Sequence, residues 1–149
     1  WSSDVCSSDL MYWYDKPSDS QDEPELKFFD DVYTTWDDTK VLQGEVGEFI
    51  TIARRKGEEW FIGSITNNEK RVLSVSLDFL PEGKNYIAEI YTDGDKSVKT
   101  RTKVRVSTYR VSNKTKLNFC LKASGGGAVR LVPDDGNIKS VKNYKQQRL

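Results

Sequence analysis

The sequence predicts an all-β protein: an antiparallel β-sandwich of seven or eight short strands, immunoglobulin-like in general architecture and preceded by a short helix. Two observations lead to this prediction. Apolar and polar residues alternate with a period of two in several segments, which is typical of strands with one buried face. Turn-forming Gly, Asn, Asp and Pro residues separate these segments at regular spacing, as in sandwiches and barrels. The chain has 149 residues, enough for one domain.

A short helix is predicted at residues 25–32, before the strands begin. Pro24 suits the first helical position, and Glu25 favours the positive end of the helix dipole. Leu26 and Phe29 are three residues apart and therefore share one face of the helix. A helix of about two turns needs packing against another element to persist.

Strand patterns begin at Trp36 and are clearest in three segments. Residues 48–55 and 60–66 are joined by the Gly-containing residues 56–59, an arrangement typical of a β-hairpin. Residues 71–80 alternate strictly, so one face of this strand is expected to be buried. The residues of that face are Leu73, Val75, Leu77 and Phe79.

The carboxy-terminal half carries four further strand patterns, at residues 85–92, 100–111, 117–121 and 128–132. The expected core residues are Tyr86, Ala88 and Ile90 in the first of these and Leu117, Phe119 and Leu121 in the third. Pro133 ends the last strand, because proline lacks the N–H group that a strand needs for pairing. Residues 134–149 are polar, lack a sustained period and are expected to fray.

The composition argues against several classes of function. Lys+Arg and Asp+Glu both number 23, so the net charge is zero. A balanced charge argues against a surface for nucleic acids or anionic membranes. No apolar run is long enough for a membrane-spanning helix. Histidine is absent, which removes the commonest general base and every Ser/His or Cys/His scheme.

The amino-terminal residues are expected to lie outside the sandwich. Residues 1–10 resemble the in-frame translation of a common sequencing-library adapter, and we expect them to be an artefact. Residues 11–24 hold the aromatic triplet Tyr12-Trp13-Tyr14 and then a polar stretch, so we interpret them as the last buried piece of a preceding domain and a linker. The expected sandwich domain spans residues 25–133, followed by the polar tail.

Two local features are expected to be structural. Cys120 lies in a strand pattern and is expected to be a packed, unpaired thiol, because Cys6 falls within residues 1–10. The run Gly125-Gly126-Gly127 could suggest a phosphate-binding loop, but the Gly-Lys-Ser/Thr sequence that opens a helix is missing. A turn or bulge is therefore the favoured interpretation.

The acidic pairs Asp30-Asp31 and Asp37-Asp38 could supply carboxylates for glycoside hydrolysis or calcium binding. Adjacent residues on a strand point to opposite faces, so such a pair cannot aim both carboxylates at one sugar. Neither pair matches the spacing of a calcium-binding loop. Solvated turns or contacts with another domain are therefore favoured.

Aromatic and basic residues leave alternatives open. Trp36, Trp60 and Phe61 could form a sugar-stacking platform, but packing in a core or interface is favoured, because sandwiches use such residues for bulk. Arg54 and Arg55, close to the hairpin, could pair with acidic groups of another domain. A solvated strand face is expected for Arg101, Lys103 and Arg105.

Residues 32–57, VYTTWDDTKVLQGEVGEFITIARRKG, closely resemble the start of the carboxy-terminal domain of glycoside hydrolase family 97. Further matches are WFIGSITN at residues 60–67, LDFL at 77–80 and SGGGAVRL at 124–131. The segments YWYDKP at 12–17 and EPEL at 23–26 are similar to the junction that leaves the barrel in one branch of that family. The resemblance covers roughly residues 11–133.

The resemblance implies a three-part parent enzyme with an amino-terminal β-sandwich, a central (β/α)8 barrel and this terminal sandwich. Members of the family hydrolyse α-glucosidic or α-galactosidic bonds with the assistance of calcium, and they are typically exported, often to the periplasm of Gram-negative bacteria. The family's catalytic carboxylates and calcium ligands lie in the first two parts. The resemblance therefore assigns no catalytic, cofactor-binding or metal-binding residue to this chain.

The leading hypothesis is a non-catalytic accessory domain that packs on the missing catalytic barrel of the same polypeptide and supports homo-oligomerisation. It predicts an apolar surface made for the barrel, because a large exposed apolar patch marks an interaction site. The candidate interface residues are Tyr12, Trp13, Tyr14, Phe28, Phe29, Trp36, Arg54 and Arg55. The alternative is an independent carbohydrate-binding module, which predicts a coplanar, exposed aromatic pair.

Overall fold

The computed structural model describes residues 23, 25–94, 97–98, 103–136 and 140–145. Within these residues the chain forms one helix, α1 at Leu26–Asp31, and eight strands. The strands are β1 (Asp38–Glu45), β2 (Phe49–Lys56), β3 (Glu59–Thr66), β4 (Arg71–Ser76), β5 (Asn85–Asp93), β6 (Val104–Ser112), β7 (Lys116–Leu121) and β8 (Gly126–Pro133). The predictions for Tyr12, Trp13 and Tyr14 lie outside the described residues. This helix has six residues and is far too short to cross a membrane.

The strands form two antiparallel sheets. The larger sheet has the order β1-β2-β3-β8-β5-β6, and the smaller one pairs β4 with β7. The predicted hairpin is confirmed as β2 and β3, in which Arg55 lies opposite Trp60. The predicted all-β sandwich is therefore confirmed, and eight described strands match the upper number expected.

The core lies between the two sheets and follows the predicted alternation. Leu73, Val75 and Leu77 of the small-sheet side are buried, while Val72, which points to the opposite face of β4, is exposed. From the large sheet, the Trp60 ring of β3 enters the same core, and its centre lies 4.7 Å from the centre of the Phe79 ring. The predicted core residues Leu117, Phe119 and Leu121 of β7 are all buried as well. Period-two patterning therefore identified the interior correctly on both strands of the small sheet.

Strand β5 is covered on both faces, whereas the sequence pattern indicated core residues on one face only. Tyr86 and Ala88 face the core as expected, but Ile87 and Tyr91 on the opposite face are also buried. Tyr91 is buried because Phe28 of α1 packs on it at 5.3 Å. The outer face of the large sheet is therefore partly covered, and this covering forms the surface described below.

Gly126 and Gly127 lie in β8, which corrects the prediction of a turn or bulge for these two residues, whereas Gly125 lies in the turn before the strand. A Cβ on Gly127 would lie 2.7 Å from the Phe119 ring. The strand therefore needs glycine here because the opposite sheet approaches its backbone closely.

The strand predicted at 71–80 is also shorter than expected, since it ends at Ser76. The Leu77 carbonyl instead accepts a hydrogen bond from the Leu80 N–H in a turn (3.0 Å).

Two further predictions about the carboxy-terminal region are corrected. Cys120 is exposed, because its neighbours on β7 take the inward-facing positions. Residues 140–145 of the tail do not fray, but run beside β6. The Arg110 N–H donates to the Lys142 carbonyl (2.9 Å). The Tyr144 hydroxyl accepts a hydrogen bond from the Asn118 N–H of β7 (3.0 Å), so the tail bridges the two sheets.

Candidate functional site

An aromatic cluster lies on the outer face of the large sheet, where α1 and the residues after it cross β3 and β5. Phe61 anchors the cluster. It follows Trp60 on β3, and since neighbouring strand residues point to opposite faces, Trp60 enters the core while Phe61 faces outward. The Phe28 ring of α1 packs edge to face on Phe61 (5.9 Å) and on Tyr91 (5.3 Å).

The cluster continues into the loop between α1 and β1. The Trp36 ring lies 5.3 Å from the Phe61 ring, and the Tyr33 ring lies 5.9 Å from Phe61 and 6.4 Å from Trp36. The Arg54 guanidinium of β2 lies 5.7 Å from the centre of the Trp36 ring, within the range of a cation–π contact. Residues from the helix, the loop and three strands therefore form one continuous surface.

An ion-pair network at Arg130 of β8 holds the helix on the sheet. The Arg130 Nη1 donates to Asp31 Oδ2 at 2.7 Å, and its Nε donates to Glu59 Oε2 at 2.9 Å. Burial alone would lower the pKa of Arg130, but the hydrogen bond to Glu59 and the charges of Asp31 and Glu89 outweigh it and raise the pKa. The guanidinium therefore stays charged, and three carboxylates share one cation.

Burial also perturbs Tyr91, the aromatic residue that lies under Phe28. Desolvation, reinforced by the nearby Glu89 and Asp31 carboxylates, raises the pKa of Tyr91 to about 12. Its hydroxyl is therefore neutral at ordinary pH. The side of the helix that faces the sheet therefore lies on the neutral ring of Tyr91 and beside the ion pairs of Arg130.

The side of the cluster that faces away from the sheet is exposed to solvent. The side chains of Phe29 and Tyr33 are 41% and 40% exposed, respectively. Beside them lies an apolar cavity of about 630 Å³. Its lining includes Phe28, Trp36, Ile50, Ile52, Ile65 and Tyr91. Aromatic rings at the rim and branched aliphatic side chains on the floor are typical of a surface that another protein covers.

The residues predicted as an interface are only partly brought together. Phe28, Phe29, Trp36 and Arg54 all belong to this surface. Arg55 does not line the cavity, since it follows Arg54 on the strand and therefore points to the opposite face. Its Nη1 donates to the Gly57 carbonyl at 2.9 Å.

One residue of each acidic pair, Asp37 and Asp31, makes contacts within the domain. Asp37 accepts hydrogen bonds from the Gly57 N–H (2.7 Å) and Lys56 Nζ (3.1 Å), and these bonds lower the pKa of Asp37. Asp31 pairs with Lys27 (2.6 Å) as well as with Arg130. Among the described residues, no group of three or more His, Cys, Asp or Glu side chains is arranged to hold a metal ion.

The proposed three-residue sugar platform does not form. Trp60 lies in the core and is separated by the sheet from Trp36 and Phe61. The Trp36 and Phe61 rings meet at an interplanar angle of 65°, whereas a platform for a sugar ring needs coplanar, exposed rings. Trp36 and Phe61 therefore pack against each other, and Trp60 packs in the core, as the favoured interpretation predicted.

Sequence reasoning missed Tyr33, Tyr91 and Arg130 as members of this surface. A signal existed for Arg130, because a charged residue between Val129 and Leu131 interrupts an apolar strand. Nothing local indicated its partners, since Asp31 lies 99 positions away.

The fold defines an accessory β-sandwich that carries an exposed aromatic surface on the outer face of its large sheet. The family described as "Glycosyl-hydrolase 97 C-terminal, oligomerisation" matches residues 35–132, which is more than half of the chain. The chain therefore belongs to this family, as the resemblance implied, and corresponds to the carboxy-terminal, non-catalytic part of glycoside hydrolases of family 97.

Two relatives illustrate the match. The retaining alpha-galactosidase of Bacteroides thetaiotaomicron is 34% identical over 118 residues, which are 78% of this chain and 18% of that protein. A family 97 glycoside hydrolase from Pseudoalteromonas sp. strain K8, solved in complex with acarbose, is 34% identical with a TM-score of 0.71. The match covers 79% of this chain and 19% of that one. The chain thus spans about a fifth of the length of these relatives.

A beta-arabinopyranosidase structure shares the fold, with a TM-score of 0.60 and 23% identity over 77% of this chain. At that identity the likeness shows the fold alone.

Proposed function

We propose that this chain is an accessory domain that docks on the catalytic barrel of its own polypeptide through the aromatic surface, and that it supports homo-oligomerisation of the enzyme. The exposed Phe29 and Tyr33 beside the apolar cavity carry the proposal. An apolar surface of this kind costs free energy in water unless a partner covers it.

The geometry suits docking, because the surface is already ordered. The Arg130 network fixes the end of α1, and Phe28 fixes its middle on Phe61 and Tyr91. Little conformational entropy remains to be lost when a partner binds, so more of the contact energy contributes to affinity. Arg54 at the rim supplies a cation that a carboxylate on the barrel can pair with.

The whole enzyme is proposed to hydrolyse α-glucosidic or α-galactosidic bonds, since one relative is named a retaining alpha-galactosidase and another binds acarbose. Calcium is proposed to assist the reaction in the barrel, with all of its ligands outside this chain. This chain would supply position and stability to the barrel. Export to the periplasm or beyond, in a Gram-negative bacterium, is part of the same proposal.

A direct binding experiment tests the docking surface. The 149-residue chain is titrated into the separately purified barrel of its parent enzyme by calorimetry, and saturable binding is expected. Phe29→Asp should weaken this binding at least about tenfold, because it places a charge in the centre of the apolar contact. Val72→Asp is the matched control, since Val72 is also exposed (49%) but lies on the small sheet.

Two outcomes would overturn the docking proposal: no binding to the barrel, or equal affinity of the Phe29 and Val72 variants. The same calorimetry with maltooligosaccharides and galactosides addresses the carbohydrate-binding alternative. No heat is expected with any of these sugars, because the aromatic rings of the cluster meet edge to face.

A further inference from the structure

The large sheet has two edge strands, β6 and β1, which differ in what lies beside them. On β6, Arg110 exchanges backbone hydrogen bonds with Lys142 and Tyr144, so the tail covers that edge at Arg110. No strand of the described part of the chain pairs with the free side of β1. An open edge presents N–H and C=O groups that can pair with another chain.

Exposed branched side chains surround the open edge. Val41 of β1 is 67% exposed, Ile65 of β3 is 61% exposed, and Val46 in the β1–β2 turn is fully exposed at 102%. With Phe49 and Ile50 they line an apolar groove of about 560 Å³. An edge strand combined with an apolar groove is a site for strand addition.

We propose that a second copy of this chain covers this edge, with the two β1 strands pairing antiparallel about a two-fold axis. The proposal rests on the oligomerisation proposed above and identifies the surface that performs it. A strand pair alone is small compared with the roughly 1,200 Å² of a specific interface. The apolar groove beside it supplies additional area.

The charges on β1 select a register for the pair. Lys40 and Glu45 project from the same face of the strand, because their partners on β2, Ala53 and Phe49, are separated by an even number of residues. Full overlap of two antiparallel β1 strands would place Asp38 opposite Glu45 of the second copy, twice. A slide of two residues instead places Lys40 opposite that Glu45, twice. Opposite charges stabilise a cross-strand pair and like charges destabilise it.

The same geometry limits the assembly to two copies. A two-fold contact uses the β1 edge of both chains, so it closes on itself and leaves no β1 edge for a third copy. The product is one continuous sheet with six strands from each copy.

Sedimentation velocity of the 149-residue chain over a range of concentrations tests the proposal. The unmodified chain is expected to form a dimer. Lys40→Glu and Glu45→Lys should each weaken the dimer at least about tenfold, because each creates two like-charge contacts. The double variant K40E/E45K restores opposite charges and should recover the original dissociation constant to within about threefold. Circular dichroism checks that every variant is folded.

A second comparison tests the apolar groove independently of the charges. Val41→Lys should abolish the dimer, whereas Val72→Lys on the small sheet should leave it unchanged. A chain that dimerises equally well with Val41→Lys and with either charge reversal would overturn edge pairing while leaving oligomerisation intact. A chain that stays monomeric at every concentration would contradict both the edge pairing and the proposed oligomerisation by this domain.

Discussion

Arg130 Nη1 on the last strand donates a hydrogen bond of 2.7 Å to Asp31 Oδ2 at the end of the helix, although the two residues are 99 positions apart in the sequence. The same guanidinium donates to Glu59 on β3. The helix is therefore attached to the middle of the large sheet by an ionic contact beside the aromatic one. The order of the docking surface depends on both.

Replacing Arg130 by methionine should destabilise the domain by about 2 kcal/mol, because it leaves the partly buried carboxylates of Asp31, Glu59 and Glu89 without their shared cation. Urea unfolding measures the free-energy difference. Lys84→Met removes an ion pair with Glu58 that lies in full solvent and should change the stability little. Equal stability of the two variants would show that the Arg130 network does not hold the helix.

Gly127→Ala should destabilise the sandwich by about 1–3 kcal/mol, since the new Cβ would lie 2.7 Å from the Phe119 ring and force the two sheets apart. Gly63→Ala is the matched control on the neighbouring strand. No atom lies within 4 Å of a Cβ at Gly63, so this change should be neutral or slightly stabilising. Thermal unfolding distinguishes the two, and a neutral Gly127 variant would contradict the close packing described here.

Tyr144→Phe should cost about 1 kcal/mol, because it removes the acceptor of the Asn118 N–H while keeping the ring on Tyr109. Hydrogen exchange at Asn118 should accelerate in the same variant. Tyr33→Phe, at an exposed ring, should leave both quantities unchanged. No effect at Tyr144 would mean that the tail frays after all, as the sequence alone predicted.

The Tyr91 hydroxyl should make the domain sensitive to alkaline pH. Its pKa is about 12 in the folded state, against about 10 in the unfolded state. The stability is therefore fully present below pH 10 and is lost as the pH rises to 12, by up to roughly 2–3 kcal/mol. Tyr91→Phe should flatten this part of the pH profile, measured by urea unfolding at a series of pH values. An unchanged slope would contradict the buried position of Tyr91.

Local patterns predicted much of this fold, because each depends on a few neighbouring residues. The β2–β3 hairpin follows from two alternating segments around Gly57, and the interior face of β7 follows from Leu117, Phe119 and Leu121. Period two places such residues without knowledge of their partners.

Contacts between residues far apart in the chain could not be predicted from local sequence patterns. The pairing of β3 with β8 brings Phe61 beside Arg130, and no local signal indicates that neighbour. Trp60 and Phe61 were considered together as one platform, although their adjacency places them on opposite faces of the sheet. The tail was expected to fray because residues 134–149 have no period, yet Tyr144 is held by its hydroxyl, by its ring contact with Tyr109 and by its backbone N–H, which donates to the Arg110 carbonyl.

Hydrogen exchange tests most directly whether the aromatic surface is a docking face. The backbone amides of residues 26–36 are compared between the isolated 149-residue chain and the complete parent enzyme, with β4 of the small sheet as an internal reference. If the barrel covers this face, exchange at 26–36 should slow at least about tenfold in the complete enzyme while β4 stays unchanged. Equal exchange rates at residues 26–36 in both proteins would contradict it.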